Sequence, residues 1–402
     1  MVTVLRFLQF SDVHLDSRLT GSRLAWPREK RERRIREIAE AAWRACRLAH
    51  EHKVEALFIP GDLWDDEAVS AETIARLHEA FAALDPIPVF IAPGNHDFCS
   101  PTSLYNDDVL RARGMRAWPK NVHIFRSTSF TTVHHPTRPE VTITGRAFVQ
   151  NVSIEERLLR EPIPRPPASV SVLLFHGSWI EYQGRDRFEE GKLFTAPFSR
   201  AELLAQGFSY AALGHYHHYA EIVDEEGRVR AAYAGCLAAR YLSEAGPHFA
   251  LLGEIGDRGL LALEKIRVDE RTIHDVEVDV TGAESEASVR ERIGRRLREC
   301  GACASDIIFL RLTGRLPRGL RASALTDCFE REYFHLAVAD LTRPAYDLDG
   351  ADPRTVQGRF IHKMRERIAG TSDLNERALL ERALYYGLDA LIQGEVEPIY
   401  EE

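Results

Sequence analysis

The sequence predicts an α/β protein: a layered α/β sandwich followed by a small α+β unit and C-terminal helices. The first hundred residues alternate short apolar runs with segments whose apolar residues recur at helical spacing, which is the pattern of βαβ units in a parallel sheet. After residue 120, strand-like segments recur as far as residue 268. Because 402 residues are too many for one core, we expect separate domains at residues 1–272, 273–348 and 349–402.

Three buried strands are predicted early in the chain, at residues 4–10, 56–59 and 89–92, and each one stops at Ser-Asp or Pro-Gly. Two amphipathic helices separate them, with apolar residues Ile35, Ile38, Ala42, Cys46 and Ala49 in the first and Ile74, Leu77, Phe81 and Leu84 in the second. Later strand-like segments cover residues 122–125, 141–143, 170–175, 210–213, 228–233, 249–254 and 261–268. Beyond them, two strands at 276–280 and 307–312 flank a helix at 285–300, and the chain is helical from 352 onward.

Composition argues against several classes of protein. The sequence has no run of about 18 apolar residues, so we expect no membrane-spanning segment. The amino terminus lacks the basic start and small-residue cleavage site of a signal peptide, and the six cysteines are scattered. These features favour a reducing, cytoplasmic location. Cys300 and Cys303 form one Cys-x-x-Cys pair, without the second pair that a structural zinc site usually needs.

The net charge of −9 argues weakly against a nucleic-acid partner, but basic residues are concentrated in two stretches. Residues 18–36 hold eight basic and two acidic side chains, and residues 290–298 hold five arginines and one glutamate. Such a stretch can follow a phosphate backbone, or it can be an exposed helix whose Arg and Glu residues pair. The candidate DNA-binding residues are Arg18, Arg23, Arg28, Lys30, Arg31 and Arg34.

Five short polar motifs stand at the ends of predicted strands: Asp12-Val13-His14, Gly61-Asp62, Gly94-Asn95-His96-Asp97, His176-Gly177 and Gly214-His215-Tyr216-His217. Ligands of open α/β sheets bind beyond the carboxyl ends of strands. A single Gly-Asp is common in turns, and a single histidine is more often a packing residue, but packing does not explain all five together. Carboxylate, amide and imidazole donors in one set suit manganese, iron or zinc.

These motifs resemble those of the calcineurin-like metallophosphoesterase superfamily, over about the first 220 residues. More narrowly, the chain is similar to the SbcD-type DNA repair exonucleases, which work with SMC-like ATPases, and to the related YhaO family. Residues 233–236, Tyr-Ala-Gly-Cys, resemble the Tyr-Pro-Gly-Ser segment of that family, with the proline and the serine replaced. The resemblance implies a nuclease domain at residues 1–272, a capping domain at 273–348 and a C-terminal helical region at 349–402.

The resemblance also implies two divalent metal ions, with manganese expected and zinc or iron able to use the same ligands. Asp62 would bridge the two ions, one held by Asp12, His14, Asp62 and His217 and the other by Asp62, Asn95, His176 and His215. His96 would contact the scissile phosphate and help the leaving oxygen, and Asp97 would orient His96. A metal-activated hydroxide would be the nucleophile.

The site alone does not choose a substrate, because phosphatases, small-molecule phosphodiesterases and nucleases share it. The basic stretches and the extra module after residue 275 favour a DNA exonuclease or endonuclease. The alternatives are a phosphodiesterase for small molecules or cyclic nucleotides, and a scaffold that tethers DNA for an SMC-like ATPase. The family commonly forms homodimers. An ATPase could bind the apolar stripe of the last helix, or the stripe could pack on its own domain: Leu379, Leu380, Ala383, Leu384 and Leu388.

Overall fold

The computed structural model describes residues 3–20, 23–65, 68–150, 156–184, 194–316, 320 and 326–393. The chain forms two compact units. The first comprises the chain up to Asp275 together with Ala302–Phe309 and Tyr333–Ala337, and the second comprises the remainder. The division into three domains at residues 272 and 348 stays a prediction.

The described strands are, in chain order, β1 (Leu5–Gln9), β2 (Ala56–Ile59), β3 (Val89–Ile91), β4 (Val122–Ile124), β5 (Thr131–His135), β6 (Arg138–Gly145), β7 (Val170–His176), β8 (Tyr210–Gly214), β9 (Ala220–Val223), β10 (Val229–Tyr233), β11 (Phe249–Gly256), β12 (Gly259–Arg267), β13 (Ile273–Asp279), β14 (Ile307–Thr313), β15 (Arg315–Leu316), β16 (His335–Asp340) and β17 (Arg343–Pro344). The described α-helices are α1 (Arg28–Glu51), α2 (Ala71–Ala82), α3 (Asp107–Ala112), α4 (Arg200–Ala205), α5 (Glu286–Glu299), α6 (Val356–Gly370) and α7 (Leu374–Gln393).

Two six-stranded sheets form the framework of the first unit. In the first sheet, β1, β2, β3 and β4 run parallel, and the antiparallel strands β11 and β12 extend it beyond β1. In the second sheet, β6, β7, β8 and β10 run parallel, and antiparallel β5 and β9 form its edges. The predicted layered α/β fold is confirmed, and the strand-like segments after residue 120 are shared between both sheets.

Alternate residues of the first sheet face two different cores, because successive side chains of a strand point to opposite sides. Phe7, Phe58 and Phe90 pack against the second sheet. Leu8 and Leu57 belong to the cluster that includes the buried faces of α1 and α2. A third cluster covers the other face of the second sheet. The parallel strands are thus buried on both faces, which explains why their sequences are continuously apolar.

The two helices predicted beside the first sheet form where the apolar spacing places them. The N-cap of α1 is Pro27, and the helix buries one face that includes Ile38, Ala42, Cys46 and Ala49. At the start of α2, the Ser70 hydroxyl accepts a hydrogen bond from the backbone amide of Thr73, satisfying one of the unpaired amides of the first turn. Both helices therefore follow from local sequence.

In the second unit, α6 and α7 pack on each other through Ile361, Met364, Leu380, Leu384 and Leu388. Three leucines of the predicted partner stripe are therefore used in this unit's own core, whereas Leu379 is 66% exposed. The last strands form two small sheets, β13-β14-β16 and β15-β17. Among the described helices, none has the length and apolar character needed to cross a bilayer.

Candidate metal centre

The five polar motifs lie at the carboxyl ends of parallel strands. Asp12, Asp62 and Asn95 follow β1, β2 and β3, while His176 ends β7 and His215 follows β8. These strands are neighbours within their sheets. The strand ends therefore bring polar side chains together from both sheets, as is usual for ligand sites of open α/β sheets.

The donor atoms of these side chains meet in one place. Three groups have ligand atoms within 4.8 Å of one another: Asp12, His14 and His217; His14, Asp62 and His96; and Asp12, Asp62 and His176. Because each group shares a member with the other two, they form one continuous cluster. All of its members are buried except His96, which is partly exposed.

The other two predicted ligands lie beside this cluster. The Asn95 Oδ1 atom is 3.1 Å from His176 Nε2. The ring of His215 lies 5.4 Å from the ring of His176, and its backbone amide donates to Asp12 Oδ1 at 3.0 Å. All seven predicted metal ligands therefore lie at the same strand ends. The contacts of His215 are those of its backbone amide with Asp12 and of its ring with His176.

Four of these residues have backbone conformations that L-amino acids rarely adopt. The φ angle is 52° at Asp12, 47° at His14, 52° at Asp62 and 121° at His215. Main-chain hydrogen bonds support the first three, since the Asp12 amide donates to the Gly61 carbonyl at 3.1 Å and the His14 amide to the Asp62 carbonyl at 3.0 Å. Strained residues persist only where the surroundings hold them, and they concentrate at functional sites.

Two glycines let the strand ends approach closely. Gly61 has a φ of +90°, and a Cβ there would lie 2.6 Å from the Gly94 nitrogen. A Cβ at Gly214 would lie 2.0 Å from the Pro60 carbonyl oxygen. Because any larger residue would push these main chains apart, the glycines of the motifs are required by the geometry of the site.

Burial and neighbouring rings set the protonation of the two central carboxyl groups. Burial raises the pKa of Asp12 to about 6, although His176 and His217 act in the opposite direction. Burial acts in the same way on Asp62, but the surrounding histidines, His176 first, outweigh it and hold the pKa of Asp62 well below its usual range. Asp62 is therefore a carboxylate at neutral pH.

His14 indicates what the cluster can hold. Burial is the main cause of a pKa well below the ordinary histidine value, so the ring is neutral. Its Nδ1 atom lies 2.7 Å from Asp65 Oδ1 and therefore carries the proton, which leaves a lone pair on Nε2. Nε2 is buried and has no hydrogen-bond partner among the described residues. A neutral imidazole held through one nitrogen, with the other directed at carboxylates, fits a divalent cation.

Two more histidines are held in the same way. His217 Nδ1 lies 2.8 Å from Glu244 Oε1, and Arg240 Nη2 lies 2.6 Å from the same oxygen. His176 Nδ1 donates to the Pro60 carbonyl at 2.8 Å, which turns Nε2 toward the cluster. These contacts orient the rings before any ligand binds, an arrangement typical of metal sites.

With this geometry in place, comparison with known proteins gives the family. The sequence model of the calcineurin-like phosphoesterases matches residues 5–219. The chain belongs to this family. It is 27% identical over 295 residues to "Uncharacterized metallophosphoesterase YhaO" of Bacillus subtilis (strain 168). The alignment covers 71% of this chain and 65% of the relative, so the chain spans less than two thirds of that relative's length. A solved structure, that of TT1561 of Thermus thermophilus, aligns with 66% of this chain and 100% of its own at 14% identity, with a TM-score of 0.34.

Asp97 supports the main chain at the site. Its buried carboxylate accepts hydrogen bonds from the backbone amides of Asp62 at 3.0 Å, Leu63 at 2.7 Å and Gly94 at 2.7 Å. A fourth comes from the Tyr105 hydroxyl at 2.7 Å. These bonds brace the main chain that carries Asp62 and Asn95, and the expectation that Asp97 orients His96 stays a prediction.

Sequence reasoning missed three residues that contact the cluster. Asp65 lies 2.7 Å from His14 Nδ1 and 3.5 Å from His96 Nδ1, and its position three residues after Asp62 was the available signal. Arg240 and Glu244 carry no such signal, because they belong to none of the motifs and only the fold brings them to His217.

The basic stretch at residues 18–36 contains both exposed and buried side chains. The exposed or partly exposed members of the predicted DNA-binding set are Arg18, Arg23, Arg28, Lys30 and Arg31. Arg34 is 0% exposed, and its guanidinium donates to Asp269 Oδ2 at 2.7 Å and to the Ala239 carbonyl at 2.8 Å. The assignment of Arg34 to DNA binding is therefore wrong, because this side chain points from α1 into the protein.

Proposed function

We propose that this phosphoesterase is a two-metal phosphodiesterase that cleaves DNA strands, as an exonuclease or endonuclease of the SbcD type in DNA repair, with manganese as its metal. The observation that carries the proposal is the buried cluster of carboxylate and imidazole donors, in which His14 Nε2 has no hydrogen-bond partner among the described residues. The cytoplasm is the proposed location.

The residues that would hold two divalent ions are Asp12, His14, Asp62, Asn95, His176, His215 and His217. Such ions, when bound, supply the charge that acidifies water and neutralises phosphoryl oxygens. Asp62 takes part in two of the three donor groups, as do Asp12 and His14. Its depressed pKa keeps it charged, which suits a carboxylate shared between two cations.

His96 is proposed as the group that contacts the reacting phosphate. Its backbone amide donates to Asp62 Oδ1 at 2.9 Å, so its position depends on the proposed bridging carboxylate. The side chain is 32% exposed and lies 3.5 Å from Asp65, so one side of the ring is held while another is open to solvent. A ring placed in this way can donate a proton to the leaving oxygen.

Replacing His96 with alanine tests this role. We expect hydrolysis to fall by roughly 10²–10⁴-fold, the usual contribution of a general acid, while metal content measured by elemental analysis is unchanged. His134→Ala is the matched control, since this exposed histidine bonds the Pro139 carbonyl elsewhere on the unit, and it should keep full activity. Loss of metal together with activity would make His96 a ligand instead.

A cluster of basic side chains around Phe334 supports DNA as the substrate. The Arg271 guanidinium lies 3.6 Å from the centre of this ring, that of Arg33 lies 5.2 Å away, and the Lys30 ammonium lies 5.8 Å away. Arg271 pairs with Glu37 at 2.7 Å. Lys30 and Arg33 keep more of their side chains in solvent, where they can approach phosphates.

The decisive assay is cleavage of end-labelled single- and double-stranded DNA by purified protein with manganese. We expect cleavage whose efficiency falls steeply as salt rises, because counterions are released from DNA on binding. Intact DNA together with hydrolysis of bis-(p-nitrophenyl) phosphate or a cyclic nucleotide would reject the nuclease and leave a small-molecule phosphodiesterase.

An SMC-like ATPase is the proposed partner, and its proposed contact is the exposed remainder of the last helix. Leu374, Leu379 and Leu391 are 77%, 66% and 47% exposed. Removing residues from 352 onward should abolish co-purification with the ATPase and leave DNA cleavage intact. Unaltered co-purification would reject this contact.

A further inference from the structure

The first unit contains a cavity of about 680 Å³ to which the proposed reaction assigns no part. Its described walls come from residues 128–130, from 146, 149 and 150, and from 156, 158 and 161–164. The Ala147 amide donates to the Ser127 carbonyl at 2.8 Å, which holds two of these segments side by side. The polar groups of the lining include the hydroxyls of Thr128 and Ser129, the amide of Gln150 and the guanidinium of Arg146.

Arg146 is the unusual member of this lining. It directly follows β6 and is only 4% exposed. Its Nε atom donates to the Thr128 carbonyl at 2.8 Å, but Nη1 is buried with no acceptor in the described part of the chain. Burial lowers the pKa of Arg146 to about 10. A buried cation without a carboxylate partner is costly, and such a residue indicates a ligand.

Two carboxylates also line the cavity, Glu156 and Glu161, and both are exposed. Glu156 acts on Arg146 by raising its pKa, but this effect is smaller than the opposing effect of burial. Neither gives the Nη1 atom of Arg146 a hydrogen-bond acceptor among the residues that the structure describes. Water screens their charge at the surface more than it screens the buried guanidinium.

The cavity is close to the metal centre. The Arg146 guanidinium lies 5.4 Å from the centre of the Phe148 ring, and that ring lies 5.8 Å from the ring of His176. The guanidinium is therefore at most 11.2 Å from the centre of the His176 ring, which is the sum of the 5.4 Å and 5.8 Å distances. Each strand of B-DNA carries a phosphate about every 3.4 Å of helix axis, so a strand held at His176 brings further phosphates within this distance.

We propose that the cavity is an anion subsite that binds a second phosphate of the nucleic-acid strand whose scissile phosphate lies at the metal centre, with Arg146 as the residue that determines this specificity. The subsite rests on the proposed function for its substrate. The planar guanidinium presents paired donors that match phosphate oxygens, and the neighbouring hydroxyls and amide add neutral donors. Free inorganic phosphate offers the same chemistry and serves as the first probe.

The first experiment needs no activity. Wild type, Arg146→Gln and Arg165→Gln are stripped of metal with EDTA, and their melting temperatures are measured with increasing inorganic phosphate. Arg165 is the matched control, since it is partly exposed and bonds the Gly207 carbonyl. Phosphate stabilises proteins generally by exclusion from their surfaces, so the difference between variants is decisive. We expect phosphate to raise the melting temperatures of wild type and Arg165→Gln by more than this general effect. Arg146→Gln should show the general effect alone.

The second experiment uses oligonucleotides in which one phosphate at a time is a neutral methylphosphonate. In wild type, one position near the scissile bond should reduce kcat/KM by about 10–100-fold, the effect of losing a hydrogen bond between charged groups. In Arg146→Gln, all-phosphate DNA should show this loss and the methylphosphonate should add little to it, as expected for two halves of one contact. Arg146→Lys, which keeps the charge but not the paired donors, should lie between them.

Equal phosphate effects in all three proteins, or additive losses in the second experiment, would overturn the subsite. If Arg146→Gln abolishes the phosphate effect but wild type cuts no nucleic acid, the anion site stands and the proposed nuclease fails. If wild type cuts DNA but tolerates a methylphosphonate at every neighbouring position, the nuclease stands and the subsite fails. Circular dichroism of each variant establishes that it is folded before either comparison.

Discussion

Replacing Arg34 with leucine separates a structural arginine from a DNA-binding one. In the folded protein Arg34 is fully buried, and its guanidinium makes four hydrogen bonds, two to the Asp269 carboxylate and two to the Ala239 carbonyl. The substitution would leave Asp269 buried without its cation. Breaking a buried pair from one side costs roughly 3–5 kcal/mol, so we expect a loss of this size in the free energy of unfolding.

The neighbouring residue provides the control. Arg33 on the same helix pairs with Glu37 at 3.0 Å, but its side chain is 54% exposed. Surface pairs of this kind contribute about 0–1 kcal/mol, so Arg33→Leu should unfold almost as wild type does. The double substitution Arg34→Leu with Asp269→Leu should recover part of the stability, because it removes both charges from the interior.

Urea unfolding measures the stability of each variant, and the salt dependence of DNA binding measures whether Arg34 contacts a phosphate. A residue that contacts one phosphate contributes about 0.9 to the slope of log K against log salt. We expect Arg34→Leu to leave this slope unchanged at temperatures where it is folded. A stability within about 1 kcal/mol of wild type, or a slope that falls by about 0.9, would refute the structural role.

Three further predictions concern the supports of the fold and the site. Asp65→Ala should weaken divalent-ion binding by about 10–100-fold, because His14 loses the acceptor that orients it; unchanged affinity in a calorimetric titration with manganese would contradict this. Gly214→Ala should destabilise by roughly 1–3 kcal/mol, because its Cβ would lie 2.0 Å from the Pro60 carbonyl oxygen, and wild-type urea unfolding would show that the strand ends can separate. Burial raises the pKa of Asp306, but the hydrogen bonds that its carboxylate accepts, first that from His274, lower the pKa by more. The net pKa of Asp306 is therefore below the ordinary value. The stability from this charge is therefore present above the unfolded pKa of about 3.9 and is lost as pH falls below it. Asp306→Asn should be less stable than wild type by about 1–3 kcal/mol at pH 7, with the gap closing below about pH 4; a gap independent of pH in thermal unfolding would exclude the charge as its cause.

Much of the fold could be predicted because its signals are local. The strands that precede Asp12, Asp62 and Asn95 are short apolar runs that end at polar or Pro-Gly pairs, and α1 and α2 follow from apolar residues at helical spacing. Parallel strands place their carboxyl ends at a common edge. The positions of the motifs after such strands therefore predicted a common site, in which five of the seven predicted ligands form the cluster and Asn95 and His215 lie beside it.

The surroundings of that cluster depended on contacts that no local pattern contains. Asp97 stands beside His96 in sequence, yet its carboxylate meets the amides of Leu63 and Gly94, because the main chain curls around it. Glu244 reaches His217 from a short turn with no recognisable motif. The sequence does not show these contacts, because the direction of a buried side chain depends on which other strand ends lie close.

The sequence by itself determined the family, the alternation of strands and helices, and the residue types that gather at the strand ends. The tertiary structure alone decided the direction of each charged side chain. Arg34 belongs to a stretch of arginines that looks uniform in sequence, but it is the one that meets Asp269, 235 residues away. An isolated buried charge is too costly to keep, whereas a solvated one is nearly neutral in its effect. Whether an arginine is buried or exposed therefore depends on whether the fold places a carboxylate beside it, and that carboxylate can belong to a distant part of the chain.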